Sequence, residues 1–225
     1  MADRARAADR PVNRALLFAA LALSGTARAA TVEVLVQTRA GSPLADAAVL
    51  VEPVTGTPAR PRARAPAAKG VAIEQRGREF IPWMTVVQTG TSVDFPNNDT
   101  IRHHVYSFSE PKRFEIKLYA GKPGQPVVFD KPGQVDIGCN IHDWMEAHVL
   151  VVDTPYFART GADGRASIAN VPAGRYRVRP WHPLQKAAAA PQDIEIDEAP
   201  ARMTLTLDAR ARQPKPHTED DPDRY

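Results

Sequence analysis

A single cysteine, Cys139, stands in the whole chain, so no disulfide can form within it and a small disulfide-stapled scaffold is excluded. After about residue 30 there is no long apolar run, which excludes a membrane-spanning helix there, and no sustained helical periodicity. Aromatic residues are sparse, at 7% of the chain, so each one bears on packing or on a site. A charge surplus is also missing once the amino terminus is set apart. Residues 1–29 hold five arginines against Asp3 and Asp9, which accounts for the formal +3, and the remainder balances at 24 basic and 24 acidic side chains. That balance removes any bulk electrostatic reason to bind nucleic acid or anionic lipid.

The first 29 residues carry the three-part pattern of an export signal. Arg4, Arg6, Arg10 and Arg14 form a basic start, Ala15 to Leu23 an apolar run, and Ala27-Arg28-Ala29 a small-residue cleavage pattern. The apolar run is too short to span a bilayer, so removal after Ala29 is expected, with an uncleaved anchor as the competing reading. The expected location is periplasmic or secreted, with no stable membrane insertion after signal removal. A lone thiol in an oxidising compartment needs a protector, which is either burial in a core or a metal ion.

The remaining chain reads as all-β. Short runs of Val, Ile, Tyr and Phe are cut at sandwich-like intervals by Gly, Pro, Asn or Asp. Val32, Val34, Leu35 and Val36 read as one strand and Ala47 to Val54 as a second, joined as a hairpin-like opening across Gly41-Ser42-Pro43. Residues 55–69, rich in Pro and Arg and poor in large apolar side chains, read as a linker or exposed loop. Eight strand-like segments then fall between Val71 and Asp153, with turn signals at Asn97-Asn98-Asp99 and Pro132-Gly133. Beyond Thr154-Pro155, two turns at Asp163-Gly164 and Pro172-Ala173-Gly174 flank alternating strands, continued by Ile194, Ile196, Met203, Leu205 and Leu207. Residues 209–225 are charged and proline-rich, the composition of a disordered tail.

Chemistry concentrates in one segment, GCNIHDWM, where Cys139, His142 and Met145 follow at three-residue intervals. A thiolate, an imidazole and a thioether from one connection are the donors of mononuclear copper, whose blue centres add a second histidine and hold the methionine as a weak axial ligand. Zinc would take four strong ligands and gain little from a thioether. The pair His103-His104 opens the strand VYSF just after the polar turn FPNND and supplies the missing imidazole. Taken singly, Met145 reads equally as core and the two histidines as a surface pair. His148 reads as a strand residue, His182 as part of a surface WHP turn and His217 as tail. Trp144 either packs on the site or stays exposed for docking.

With these residues in view, the block from Phe80 to Asp153 resembles the cupredoxins. The loop Cys-x-x-His-x-x-Met is similar to the short form in amicyanin, of the methylamine-utilisation type, and FPNNDTIRH is similar in spacing to the plastocyanin segment that ends in its first ligand. The resemblance implies a Greek-key β-sandwich over residues 70–154 holding one type 1 copper ion on His103, Cys139, His142 and Met145. At the residue after the first ligand a cupredoxin usually carries an asparagine that hydrogen-bonds across to the cysteine loop. Here His104 and Asn140 are expected to share that clamp, and binding of copper by His104 itself stays open. Residues 31–57 and 155–208 resemble the two parts of a carboxypeptidase-regulatory-like module, a small immunoglobulin-like β-sandwich, through GSPL with AAV and through TGADGR with VPAGRY. The copper block would then be inserted into, or joined linearly to, that sandwich.

A site saturated by four protein ligands has no open position for a substrate, so the expectation is not an enzyme but a carrier of single electrons. The resemblance implies a redox partner such as a dehydrogenase or c-type cytochrome, docked on an apolar surface around His142, which it places near the protein surface. The alternatives are copper binding or delivery without electron-transfer turnover, and a pair of adhesion modules with a vestigial site.

Overall fold

A computed structural model describes residues 29–54 and 70–213 and contains no helix among them. The predicted signal segment before Ala29, the linker at 55–69 and the end of the tail at 214–225, His217 included, lie outside the described residues. No helix among the described residues is long and apolar enough to cross a membrane. Seventeen strands follow in order: β1 (Ala29–Thr38), β2 (Ala48–Pro53), β3 (Val71–Ala72), β4 (Glu74–Arg76), β5 (Glu79–Ile81), β6 (Met84–Gln88), β7 (Thr91–Asp94), β8 (His103–Ser107), β9 (Phe114–Tyr119), β10 (Val127–Phe129), β11 (Gly133–Gly138), β12 (Glu146–Val152), β13 (Phe157–Arg159), β14 (Arg165–Pro172), β15 (Gly174–Trp181), β16 (Gln192–Ile196) and β17 (Ala201–Leu207).

The middle of the chain forms one sandwich. A five-stranded sheet in the order β6-β12-β11-β8-β9 faces a three-stranded sheet, β10-β7-β3, and a short hairpin, β4-β5, closes one side. Period-two alternation decides which side chains meet in between. Val135 and Ile137 on β11, Ala147, Val149 and Val151 on β12, and Val105 on β8 turn inward onto Phe80, Val93, Phe95 and Phe129. Ten strands stand where the sequence suggests eight. The two missed, β3 and β4, are only two and three residues long, too short to carry a readable alternation.

The strands before and after this block pair with one another. β1 lies between β14 and β17, and β2 between β13 and β15 with β16 beyond. Their inner faces share a separate core that includes Val32, Val34, Val36, Leu44, Val49, Val51, Ile168, Val178 and Leu205. The hairpin-like opening is therefore corrected, because β1 and β2 fall in opposite sheets. The physical reason is the burial of β2 on both faces. Val49 and Val51 enter this core, while Ala48 and Leu50 turn the other way onto Trp83, Met84, Leu150 and Val152 from the middle block. That second cluster joins the two sandwiches, with Trp181 and Leu184 packed against it.

The tail also needs correction at its start. Ala209 bridges to Gln185, and Arg212 lies 5.2 Å over the Trp83 ring with a nitrogen 3.4 Å from Glu79 Oε2. An arginine stem can cover an indole face while its head stays paired.

Candidate metal centre

The inward alternation of β11 carries on past its end, so Val135 and Ile137 are followed into the core by Cys139. Gly138 pairs with Tyr106 on the antiparallel β8, which places the start of β8, and with it His103, level with the loop after Cys139. That loop closes on itself: the Cys139 N–H donates to Met145 O at 3.2 Å and the Met145 N–H to His142 O at 3.0 Å. The chain thereby returns His142 toward the cysteine.

The result is a convergence of three buried donors. Cys139 Sγ lies 3.9 Å from His103 Nδ1 and 3.9 Å from His142 Nδ1. The three residues, 0, 3 and 4% exposed for His103, Cys139 and His142, offer ligand atoms all within 4.8 Å of one another. A point equidistant from three atoms so spaced lies about 2.2–2.5 Å from each, close to ordinary metal–thiolate and metal–imidazole bond lengths. Met145 is buried in the same apolar cluster as Cys139 and sits at the closing hydrogen bonds of the loop. Two imidazoles and a thiolate, with a buried methionine closing the same loop, form a soft, mixed donor set that suits copper better than zinc.

The sulfur is prepared for a cation. Burial alone would push the Cys139 thiol up, but the His103 imidazole and the backbone N–H groups of Ile141 and His104 outweigh it and hold it below the ordinary thiol range. For His103, burial works against the charged form, and its contacts with Cys139 and Asp99 raise it above the usual histidine value. Behind His103 sits Asp99, whose Oδ2 lies 2.7 Å from His103 Nε2. Burial opposes the Asp99 charge, yet the N–H of Arg78, the His103 ring and the N–H of Gly77 keep the carboxyl below its usual range.

The predicted clamp between His104 and Asn140 is not what the structure builds. Adjacent strand residues face opposite ways, so the His104 ring leaves the site and its Nε2 lies 2.9 Å from Glu115 Oε1, while Asn140 is exposed. His104 contributes its backbone N–H to the sulfur instead. Its ring begins an aromatic row on the outer face, 5.6 Å from Tyr106, which is 5.0 Å from the 78%-exposed Phe108. Tyr106 lies so close over Gly138 that a Cβ there would sit 2.9 Å from the phenol ring, which explains a glycine directly before the cysteine.

His142 is itself buried, and the half-buried Trp144 packs beside it with ring centroids 5.2 Å apart. One further expectation changes: His182 is not in a surface turn. It is 0% exposed at the junction of the sandwiches, 5.9 Å from Trp83, and burial pushes its pKa down to about 4. His148 is a strand residue as expected, with Nδ1 2.7 Å from Asp136 Oδ1. The sequence reading missed Asp99 as a site residue. Its only signal was a carboxylate four positions before His103, indistinguishable from the polar turn it belongs to.

No protein-family model matches the chain, and no curated protein does. Solved structures match part of it. The copper-containing nitrite reductase of Thermus scotoductus SA-01 is 24% identical over 37% of this chain with a TM-score of 0.35, and this chain spans only 22% of its length. A purple cupredoxin from Nitrosopumilus maritimus is 20% identical over 36% of this chain and 99% of its own, with a TM-score of 0.33. Amicyanin from Paracoccus versutus is 17% identical over 45% of this chain and 97% of its own, with a TM-score of 0.33. The case for a metal here stands on the donor atoms.

Proposed function

We propose that this chain is an exported, periplasmic copper protein that carries single electrons between redox partners, and that it is not an enzyme. The observation that carries the reading is the meeting of Cys139, His103 and His142 at 3.9 Å spacing in a buried pocket that Met145 adjoins. One type 1 copper ion bound there would supply one-electron redox chemistry. The chain's own residues do the rest. Cys139 offers a thiolate steadied by two backbone N–H groups, the short loop holds His142 and Met145, and Asp99 keeps the proton of His103 on Nε2 so that Nδ1 is free to ligate.

Burial favours this reading over copper delivery. None of the three donors is exposed to an exchanging ligand from solvent, whereas a delivery site hands its ion over. The partner we propose is a dehydrogenase or c-type cytochrome, and the seven strands outside the middle block we read as a carboxypeptidase-regulatory-like host sandwich into which residues 70–154 are inserted. The export pattern of residues 1–29 supports the location.

Addition of Cu(II) to the metal-free protein tests the site. The expected outcome is an intense visible thiolate-to-copper band with a narrow copper splitting in the electron paramagnetic resonance spectrum, both lost in Cys139→Ser. A wild-type protein that stays colourless refutes the copper reading. A coloured protein that exchanges no electrons with cytochrome c, and gives up its reduced ion readily to a chelator, refutes the carrier role alone.

A further inference from the structure

Asp99 is held by more than its own turn. The hairpin between β4 and β5 turns on Gly77 and Arg78, both in the left-handed region at φ of 63° and 58°, as a two-residue hairpin turn of this kind requires. Such a conformation is costly for Arg78, which has a Cβ. What the turn gains is a pair of backbone donors: the Gly77 N–H reaches Asp99 Oδ1 at 2.5 Å and the Arg78 N–H reaches Oδ2 at 3.0 Å.

The hairpin is in turn sewn to the segment that carries Asp99. The Gln75 N–H donates to Pro96 O at 2.9 Å, the Asn98 N–H to Gln75 O at 2.8 Å, and the Asn98 amide to Glu74 Oε2 at 2.7 Å. From the other side, the Asp99 N–H donates to Asn97 Oδ1, and the Asn97 amide spans Ile101 O and Tyr119 O. A whole hairpin thus fixes one largely buried carboxylate against the rear nitrogen of a candidate ligand.

We infer that Asp99 is a positioning residue that locks the His103 ring through Nε2–H and, by its fixed charge, stabilises the oxidised over the reduced form of an ion held at Nδ1. The inference rests on the copper reading above. A carboxylate accepts the Nε2 proton more strongly than a neutral carbonyl does, so the imidazole donates more electron density through its other nitrogen. A unit negative charge one ring away also favours the more highly charged metal ion, in a pocket too buried to screen it.

The test is Asp99→Asn in the full chain, because the amide oxygen can still accept from Nε2–H while the charge is gone. The variant is expected to stay coloured with Cu(II), and its ratio of Cu(II) to Cu(I) affinity to fall at least about tenfold, read as a rise in reduction potential of about 59 mV. A coloured variant whose potential equals the wild type's overturns the inference and leaves the copper site standing. A colourless wild type overturns both. If the variant loses copper or fails to fold, the reduced wild-type protein decides by proton magnetic resonance. A slowly exchanging His103 Nε2–H resonance supports the lock, and exchange as fast as in free imidazole overturns it.

Discussion

Acid should loosen the junction between the two sandwiches through His182, and by a calculable amount. The ring is fully buried, and its Nδ1 accepts the Leu184 N–H at 3.1 Å, which requires the neutral form with its proton on Nε2. Burial is the main cause of its depressed pKa of about 4, with neighbouring His148 adding to the depression and Asp46 opposing it. In the unfolded chain the same group titrates near 6.5. Between those two values the unfolded state binds more protons, so stability rises with pH there and is lost as pH falls from neutrality toward 4. Going from pH 7.5 to 4.5 costs about 2.5 kcal/mol from this residue alone, a sizeable part of a typical domain's 5–15 kcal/mol. Urea unfolding of the Cys139→Ser protein at the two pH values, with and without His182→Gln, isolates the contribution of this ring. Metal binding and thiol titration are then absent from both. The variant should lose about 2.5 kcal/mol less on acidification. Equal losses in the two proteins would show that His182 is not held neutral at the junction.

Strand alternation makes the two adjacent histidines inequivalent. His103→Gln should abolish the visible band of the copper-loaded protein, whereas His104→Gln, which removes the ring contacts with Glu115 and Tyr106 and keeps the backbone N–H on the sulfur, should preserve it. The reverse result would reassign the ligand. Away from the site, Thr160 ties the loop before β2 to the loop after β13, its hydroxyl donating to Leu44 O at 2.7 Å and accepting the Ala47 N–H at 2.9 Å, both buried. Thr160→Val leaves both backbone groups without that partner and should cost about 2–4 kcal/mol by urea unfolding, with no change in the copper spectrum.

What could be read along the chain was whatever depends on neighbours in sequence. The all-β character, most strand positions and the Cys139, His142 and Met145 spacing follow from local alternation and one short loop. What could not be read depends on distant pairing. Asp99 looks like a turn residue until the β4-β5 hairpin, some twenty positions earlier, brings two N–H groups to its carboxylate. His182 does sit beside a turn, but the Trp83 ring docked against it comes from the other sandwich, about a hundred residues earlier, which no local pattern encodes. The separation of β1 and β2 into opposite sheets has the same origin, since their partners β13 to β17 lie more than a hundred residues on. The opposite facing of His103 and His104, by contrast, was available from strand geometry alone.

The junction bears on the choice between carrying electrons and delivering metal. The loop that holds His142 and Met145 is bracketed by β11 and β12, and β12 is packed on both sides. Ala147, Val149 and Val151 enter the core beneath the site, while Leu150 and Val152 dock against Ala48 and Leu50 of the other sandwich. A strand fixed on two faces gives the loop's carboxyl end little freedom, and the Cys139–Met145 backbone bond ties that end to the other. Releasing an ion requires the loop to open and its ligands to separate, which would strain both packed faces of β12. Changing an ion's charge by one while the cage stays put requires neither. On the copper reading proposed above, the flanking sandwich would brace the loop from behind, which favours an ion retained through its redox cycle over one handed on.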